Sequence, residues 1–255
     1  MEYRVRTDLL RSAAVVALGV TVSLIASTAV AARAYRGREA DTSRRRQTLA
    51  VKGLARQRIR SDIAVWQIEI KGEGASLEEA FAMLEKGRQS VRTFLRSRPF
   101  EASEVGVGAI RTVTHYARDA QGDETREVAA YSLRGGLTVT SGELERVAAA
   151  AGEVTELIRE GVLVVSQPPA YYYSRLADLK IELMALASRD ARARADAIAD
   201  HTGCSVADVR EARMGVLQIT PPHSTEVRSY GIFDTSTIEK DVRAVVSVTF
   251  GIEGS

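Results

Sequence analysis

The sequence has little of what disulfide scaffolds and metal centres are built from. Its 255 residues include one cysteine, Cys204, and three histidines. A single cysteine excludes an intrachain disulfide and leaves the redox compartment open, because many exported proteins have none. The histidines, at positions 115, 201 and 223, are not at metal-ligand spacing, and His201 with Cys204 is the nearest approach to a ligand pair. We predict no metal and no cofactor.

Catalytic motifs are also missing. The sequence has no G-x-S-x-G elbow, no Walker loop and no G-x-G-x-x-G. Gly106 and Gly108 form only a G-x-G at the start of a predicted strand, where strand bending is the better interpretation. Cys204 has only His201 nearby in sequence as a basic partner for nucleophilic chemistry. We therefore predict no catalytic residue and no enzymatic activity.

Charge of one sign does not dominate the chain. It has 35 basic and 33 acidic residues. Ten of the basic and four of the acidic residues precede Gly53, so the rest of the chain has 25 basic and 29 acidic residues. A mildly acidic body lacks the basic face that neutralises phosphates. We predict no nucleic-acid binding.

One long hydrophobic run is present near the N-terminus. The 21 residues 12–32 carry no charge, and such a helix spans a hydrocarbon core of about 30 Å. A cleaved signal peptide ending at Ala29-Val30-Ala31 is the alternative, but its apolar region is normally about 7–15 residues. We predict a cytoplasmic N-terminus over 1–11, a transmembrane signal-anchor over 12–32 and a basic stalk over 33–47. Basic residues on both sides leave the orientation balanced.

Apolar periodicity in the rest of the chain predicts an α+β fold. Trp66, Ile68 and Ile70 alternate on a strand, and Ser76 with Glu79 forms a capping box that begins a helix ended by Pro99. Further strands are predicted at about 104–118, 126–140, 162–165, 206–219 and 238–252, and helices at about 142–159 and 174–201. Strand-helix-strand-strand thus occurs twice, in subdomains of about 48–140 and 161–253, with one intervening helix.

Each helix and the last strand have a predicted buried face. The first helix presents Phe81, Leu84, Arg88, Val91 and Leu95; the second presents Leu144, Val147, Ala148, Ala151 and Ile158; the third presents Leu176, Leu179, Leu183, Leu186, Ala193 and Ala197. The last strand presents Val242, Ala244, Val246, Val248, Phe250 and Ile252.

Three consecutive tyrosines, Tyr171, Tyr172 and Tyr173, precede the long helix. They pack at a strand–helix junction or form an exposed aromatic surface for a partner subunit, because aromatic anchors dominate protein interfaces. They are the candidate interface residues.

Three separated segments resemble the SIMPL-domain family in its membrane-anchored bacterial branch. The segment TLAVKGLARQRIRSDIAVWQIEI from Thr48 resembles the family's V-K-G-L-A-x-R-x-V-x-A-D-x-A-x-W start, with Ile59 and Ser61 as mild departures. The segment YYYSRLADLKIELMALASRDARARADAIADHTG from Tyr171 resembles its long helix. The segment DTSTIEKDVRAVVSVTF from Asp234 resembles its closing D-T-S-x-I-E-K-x-V-R stretch.

The resemblance implies two α+β subdomains, export to the periplasm or cell envelope, ring- or channel-shaped self-assembly in some members, and a loose link to oxidative or envelope stress. It implies no catalytic residues, and it favours a globular body outside the cytoplasmic membrane. We expect a single-pass, membrane-anchored, non-enzymatic homo-oligomer. The alternatives are a periplasmic ligand- or partner-binding module without self-assembly, and an enzyme or redox sensor using Cys204.

Overall fold

The computed structural model describes residues 47–254, which form two five-stranded sheets and three α-helices. The α+β class is therefore confirmed. The predicted cytoplasmic N-terminus, the signal-anchor 12–32 and all of the stalk except Gln47 lie outside the described residues. None of the helices in the described range is long and apolar enough to cross a membrane.

The elements follow one another in a mixed order. The strands are β1 Thr48–Arg60, β2 Ile63–Gly74, β3 Val105–Arg118, β4 Glu124–Ser141, β5 Leu163–Ser166, β6 Ala170–Tyr172, β7 Cys204–Met214, β8 Gln218–Thr220, β9 Ile232–Phe233 and β10 Glu239–Gly254. The helices are α1 Leu77–Ser97, α2 Leu144–Glu153 and α3 Leu176–Thr202, with 3-10 turns at Ala102–Glu104 and Val154–Glu160.

Each sheet takes strands from both halves of the sequence. The first has the order β3-β4-β2-β5, and β6 also pairs with β2. The second has the order β1-β10-β8-β9, and β7 also pairs with β10. By contacts the chain divides into two compact units, one of residues 54–187 and 214–245, and one that includes residues 188–213 and 246 onward.

Helix α1 begins at the predicted cap residue Ser76, but the Glu79 side chain bonds the residue before the cap and not the Ser76 N–H of a reciprocal capping box. The Ser76 hydroxyl accepts a hydrogen bond from Glu79 N (3.1 Å), and the Glu79 carboxylate accepts one from Ala75 N (3.0 Å). Four of the five predicted stripe residues are buried, but Phe81 is 47% exposed, so that assignment was wrong. The helix backbone touches β2 here, because a Cβ on Gly72 would lie 2.1 Å from Ala80 O. Ala80 fills the inner position, and Phe81 is turned outward.

The hydrophobic core of the larger unit lies between the first sheet and helices α1 and α2. Trp66 is fully buried there, as predicted, together with Ile68 and Ile70. Its indole N–H donates to the Ser166 hydroxyl (3.0 Å), which donates to Ala151 O (2.8 Å). The one polar atom of this side chain is therefore satisfied.

Helix α2 tightens into a 3-10 turn at Val154, which moves its buried face. Val154 and Leu157 are buried, whereas Ile158 is 53% exposed and Ala148 is also exposed. The predictions for Ile158 and Ala148 were wrong. The 3-10 turn explains Ile158, whereas Ala148 precedes the turn and lies one residue beyond the buried Val147, outside the inward stripe. A 3-10 helix has 3.0 residues per turn, so its inward positions recur every third residue.

Helix α3 buries a narrow row at a constant spacing of four, comprising Leu179, Leu183, Ala187, Ala191, Ala195 and Ala199. Leu186, Ala193 and Ala197 are exposed, contrary to prediction, and Leu176 is half-buried. Such a row is a single i, i+4 ridge, and its alanines allow close helix packing.

The last strand alternates as predicted, with Val242, Ala244, Val246, Val248 and Phe250 buried, although Ile252 is only half-buried. The strand predicted over 206–219 is two strands, β7 and β8. The strand is interrupted between them at Gly215, whose N–H donates to Val245 O (2.9 Å).

Candidate functional site

The corner between β1 and β2 is tied to two distant parts of the sequence. Ser61 N donates to Ile238 O and Asp62 N donates to Tyr172 O, both at 2.9 Å. The Asp62 carboxylate accepts hydrogen bonds from Ser174 N (2.8 Å) and from the Ser174 hydroxyl (2.6 Å). The corner therefore contacts both the segment before α3 and the segment that enters β10.

A buried carboxylate, Asp241, lies three residues after Ile238, which contacts this corner, and is bonded to β1 just before the corner. Asp241 is 1% exposed and accepts hydrogen bonds from Arg56 Nη2 (2.6 Å), Arg58 Nε (3.1 Å) and His223 N (3.1 Å). The pKa of Asp241 lies far below its usual range, mainly because of the hydrogen bond from the Arg58 guanidinium. Bonds from Arg56 and from the His223 amide lower it further, and together they outweigh burial, which would raise it. Asp241 is therefore ionised and fully paired.

A second buried pair closes the loop before β10. Lys240 Nζ donates to Asp234 Oδ2 (3.1 Å) and to Thr237 O (2.5 Å). Burial alone would raise the pKa of Asp234, but hydrogen bonds from Thr237, Ser236 and Lys240 lower it to about 2. Burial lowers the pKa of Lys240. The neighbouring Thr235 carbonyl accepts a hydrogen bond from Tyr171 N (2.8 Å), which links this loop to β6.

These contacts hold the three segments together. The Ser61 hydroxyl at the corner is buried and has no hydrogen-bond partner among the described residues. Of the four residues with reactive side chains singled out in the sequence, His223 contacts Asp241 through its backbone N–H. The other three do not join these contacts. His115 Nε2 is 2.8 Å from the Ser132 hydroxyl, His201 Nδ1 is 2.8 Å from Ala197 O, and Cys204 Sγ is 3.1 Å from the Thr202 hydroxyl. Within residues 47–254, no group of three or more metal-ligating side chains is found.

The three tyrosines do not form one exposed surface. Tyr171 lies in the core opposite Ala64 of β2, and burial raises its pKa. Tyr172 points the other way and is 45% exposed, because successive side chains of a strand alternate. Tyr173 is half-buried, with the Arg175 guanidinium 5.7 Å from its ring centre. An interface role stays a prediction for Tyr172 and Tyr173, whereas Tyr171 packs at the strand–helix junction.

The sequence profile of SIMPL, described as a protein of unknown function (DUF541), matches residues 49–250. The chain belongs to the SIMPL family. No curated protein matches it significantly. In this SIMPL chain, the contacts of Asp62, Asp241 and the Thr235 carbonyl join the three resemblance segments at one corner, and Asp234 fixes the loop that carries Thr235. These residues therefore have a structural role.

A projecting ribbon was not foreseen from the sequence, although both of its strands were. Pairing of β2 with β4 ends at Gly74↔Tyr131, whereas pairing of β3 with β4 continues to Arg118↔Glu124. The residues beyond the sheet, 115–118 and 124–130, are here called the arm. Tyr116 lies opposite Val128 in the arm, and the two are 46% and 39% exposed. Alternating apolar residues could have signalled the strands, but nothing in the sequence signals how far they project.

A groove of about 570 Å³ lies on the face of the first sheet opposite the core. Its lining includes Gln67, Glu69, Arg111, Arg134, Thr138, Gln167 and Tyr172. The sequence analysis singled out only Tyr172 among them. From the sequence, the outward residues of a strand look like ordinary polar surface, because the order of the strands that brings them together is not known.

Proposed function

We propose that this SIMPL chain is a non-enzymatic assembly module of the cell envelope, with a link to envelope or oxidative stress. The segment 12–32 anchors it in the cytoplasmic membrane, and the body 48–253 faces the periplasm or cell exterior and forms a homo-oligomer. The arm is the observation that carries the assembly part of the proposal. It exposes apolar side chains on a strand pair that has no other cover among the described residues.

The physical argument starts from the marginal stability of an isolated two-stranded ribbon in water. Tyr116 and Val128 form a cross-strand aromatic–β-branched pair, which stabilises a ribbon modestly and also leaves apolar area for a partner. β3 also lies at the end of the first sheet in the described chain. The unpaired backbone groups of an edge strand favour pairing with another strand. Antiparallel pairing of β3 with β3 of a second copy satisfies both edges with two-fold symmetry.

The experiment compares two double variants that remove the same side chains at different places. Tyr116→Ser with Val128→Ser changes the arm, and Tyr230→Ser with Val227→Ser changes a tyrosine and a valine elsewhere that are even more exposed. Light scattering at tens of micromolar on residues 47–255, and on the full chain in detergent, gives the particle mass. We expect the arm variant to lower the mass and the control variant to keep it, with similar melting temperatures.

Two outcomes contradict the proposal. A strictly monomeric wild-type body removes self-assembly, and an arm variant with wild-type mass moves the interface elsewhere. A lower particle mass for the Tyr172→Ala variant would indicate that the interface includes the tyrosines and not the arm. Cys204→Ala should leave assembly and stress resistance intact, and loss of either without loss of folding would favour the redox-sensor hypothesis.

The second candidate is a ligand-binding module that does not self-assemble. The groove on the outer face of the first sheet favours it, because ligand sites are concave and carry a few convergent polar groups. Assembly and binding are separable, since the arm residues Tyr116 and Val128 do not line this groove.

A further inference from the structure

The floor of the groove is low at Gly136 of β4, because this outward position has no side chain. Gly136 lies opposite Glu69 of β2. A Cβ built on Gly136 would meet only the Ile68 carbonyl, at an ordinary 3.5 Å. The groove at Gly136 can therefore be filled by a side chain without disturbing the fold.

The two ends of the groove differ in chemistry. Arg111 lies opposite Arg134 at one end, and Tyr172 lines the other. Arg134 is 3.7 Å from the Glu69 carboxylate, which partly neutralises it. Arg111 makes no ion pair within the described residues. One end thus offers a cation and the other an exposed aromatic face.

The middle of the groove offers planar polar groups. The side chains of Gln67, Gln167 and Thr138 line it, and none of them makes a hydrogen bond to the protein in the range 47–254. Two amides and a hydroxyl can both donate and accept. This is the chemistry that recognises a ligand rich in hydroxyl groups.

We propose that this groove binds a short stretch of an acidic oligosaccharide. One sugar ring stacks on Tyr172, ring hydroxyls bond to Gln67, Gln167 and Thr138, and a carboxylate pairs with Arg111. The proposal rests on the second candidate function and is independent of self-assembly. An extended peptide fits less well, because β-strand addition uses a free sheet edge and the backbone groups of a sheet face are already paired. A nucleic acid fits less well, because the body is mildly acidic.

The test measures binding of a tetragalacturonate to the full-length chain in a mild detergent by calorimetry, with maltotetraose as the neutral probe. Tyr172→Ala and Gly136→Leu should each weaken binding by roughly tenfold or more, as expected for loss of an aromatic anchor or of the space itself. Tyr230→Ala and Gly152→Leu are the matched controls, because Tyr230 is exposed elsewhere and Gly152 has no neighbour within 4 Å of an added Cβ. Both should keep wild-type affinity. Tyr230→Ala should keep the melting temperature, and Gly152→Leu should keep or raise it, because leucine favours a helix more than glycine does.

Arg111→Gln should abolish the preference for the acidic over the neutral tetrasaccharide, and the preference should fall as salt is raised. No binding of either saccharide at millimolar concentration overturns the proposal, as does equal binding of both by the wild-type chain. Tyr172→Ala that folds and binds normally also overturns it. Loss of particle mass in Tyr172→Ala would assign this face to a second copy of the chain instead. The Tyr116→Ser, Val128→Ser variant should bind normally, which separates failure of assembly from failure of this proposal.

Discussion

Single residues illustrate two kinds of buried polar group in this chain. The Trp66 indole is fully buried and uses its only donor on Ser166, whose hydroxyl passes a hydrogen bond to Ala151. Lys240 and Asp234 are also buried, but they carry opposite charges and share their remaining bonds with the adjacent loop. The first group stabilises mainly by apolar area, whereas the second fixes the path of the chain.

Trp66→Ala should destabilise the fold by about 3–5 kcal/mol, because it empties the site of a large aromatic side chain in a packed core. It also leaves the Ser166 hydroxyl without its donor. Chemical denaturation of residues 47–255 measures the change. Val65→Ala is the control from the opposite face of the same strand, and a loss below about 1 kcal/mol for Trp66→Ala would contradict burial of the side chain.

The Asp234–Lys240 pair predicts a loss of stability in acid. The pKa of Asp234 is lowered to about 2 in the folded chain, below its usual value near 3.9. A carboxyl with a lowered folded pKa contributes stability above its unfolded pKa, and that contribution is lost as the pH falls through about 4 toward 2. Asp241, whose pKa is also lowered, adds to the loss in the same direction.

Denaturation at pH 6 and at pH 2.5 measures this linkage. Asp234→Asn should be less stable than wild type at pH 6 by about 1–3 kcal/mol, the usual cost of breaking a buried charged hydrogen bond. The difference should shrink at pH 2.5, where wild type itself starts to protonate. An equal difference in stability between Asp234→Asn and wild type at both pH values would show that Asp234 acts by its shape and not by its charge.

At the scale of elements, α1 and the first sheet are joined by a buried arginine. Arg88 is 6% exposed, and its guanidinium pairs with Glu85 (2.8 Å) and donates to Gly108 O (3.2 Å). Gly108 lies in the β3 irregularity between Val107 and Ile110, where the ladder is broken. Arg88 therefore satisfies a carbonyl that the strand partner does not.

Gly135→Ala should destabilise the chain by about 1–3 kcal/mol, because the new Cβ would lie 2.5 Å from Arg88 Nη2 and force the guanidinium away from its acceptors. Gly152→Ala is the matched control, since its Cβ meets nothing within 4 Å and Ala favours a helix. In an Arg88→Met background the cost of Gly135→Ala should fall. An undiminished cost there would place the clash on the backbone instead.

The sequence was sufficient for the elements whose signal is local. The Ser76 cap, the alternation of Trp66 with Ile68 and Ile70, and the alternation along β10 all lie where predicted. The errors come from tertiary contacts, as when the close approach at Gly72 turned Phe81 outward. Strand order cannot be read from periodicity, so the arm and the sheet-face groove were not foreseen. Tyr172 was singled out, but its neighbours Gln67 and Gln167 became visible only through pairing of β2 with β5 and β6.

At the scale of the whole molecule, the two proposals use different surfaces of the same sheet. The arm extends β3 and β4 beyond their neighbours, and the groove lies across the outward side chains of β2, β3 and β4. Both proposals require that the body and its partner or ligand lie on the same side of the membrane. The side on which the body lies is therefore decisive for the proposed envelope role.

The topology of the full chain should place Ser255 outside the cytoplasm. A short basic N-terminus before residues 12–32 favours retention of that end inside, and a large following domain is translocated despite the basic residues that precede it. A phosphatase that is active only after export, fused at Ser255, should be active, and a cytoplasmic reporter at the same point should be silent. Replacing Arg4, Arg6 and Arg11 by Gln is the matched variant, and it should lower the exported fraction because it removes the charges that hold the N-terminus inside. A silent phosphatase with an active cytoplasmic reporter would reverse the orientation, and it would show that the basic residues between 33 and 46 determine the side on which the body lies.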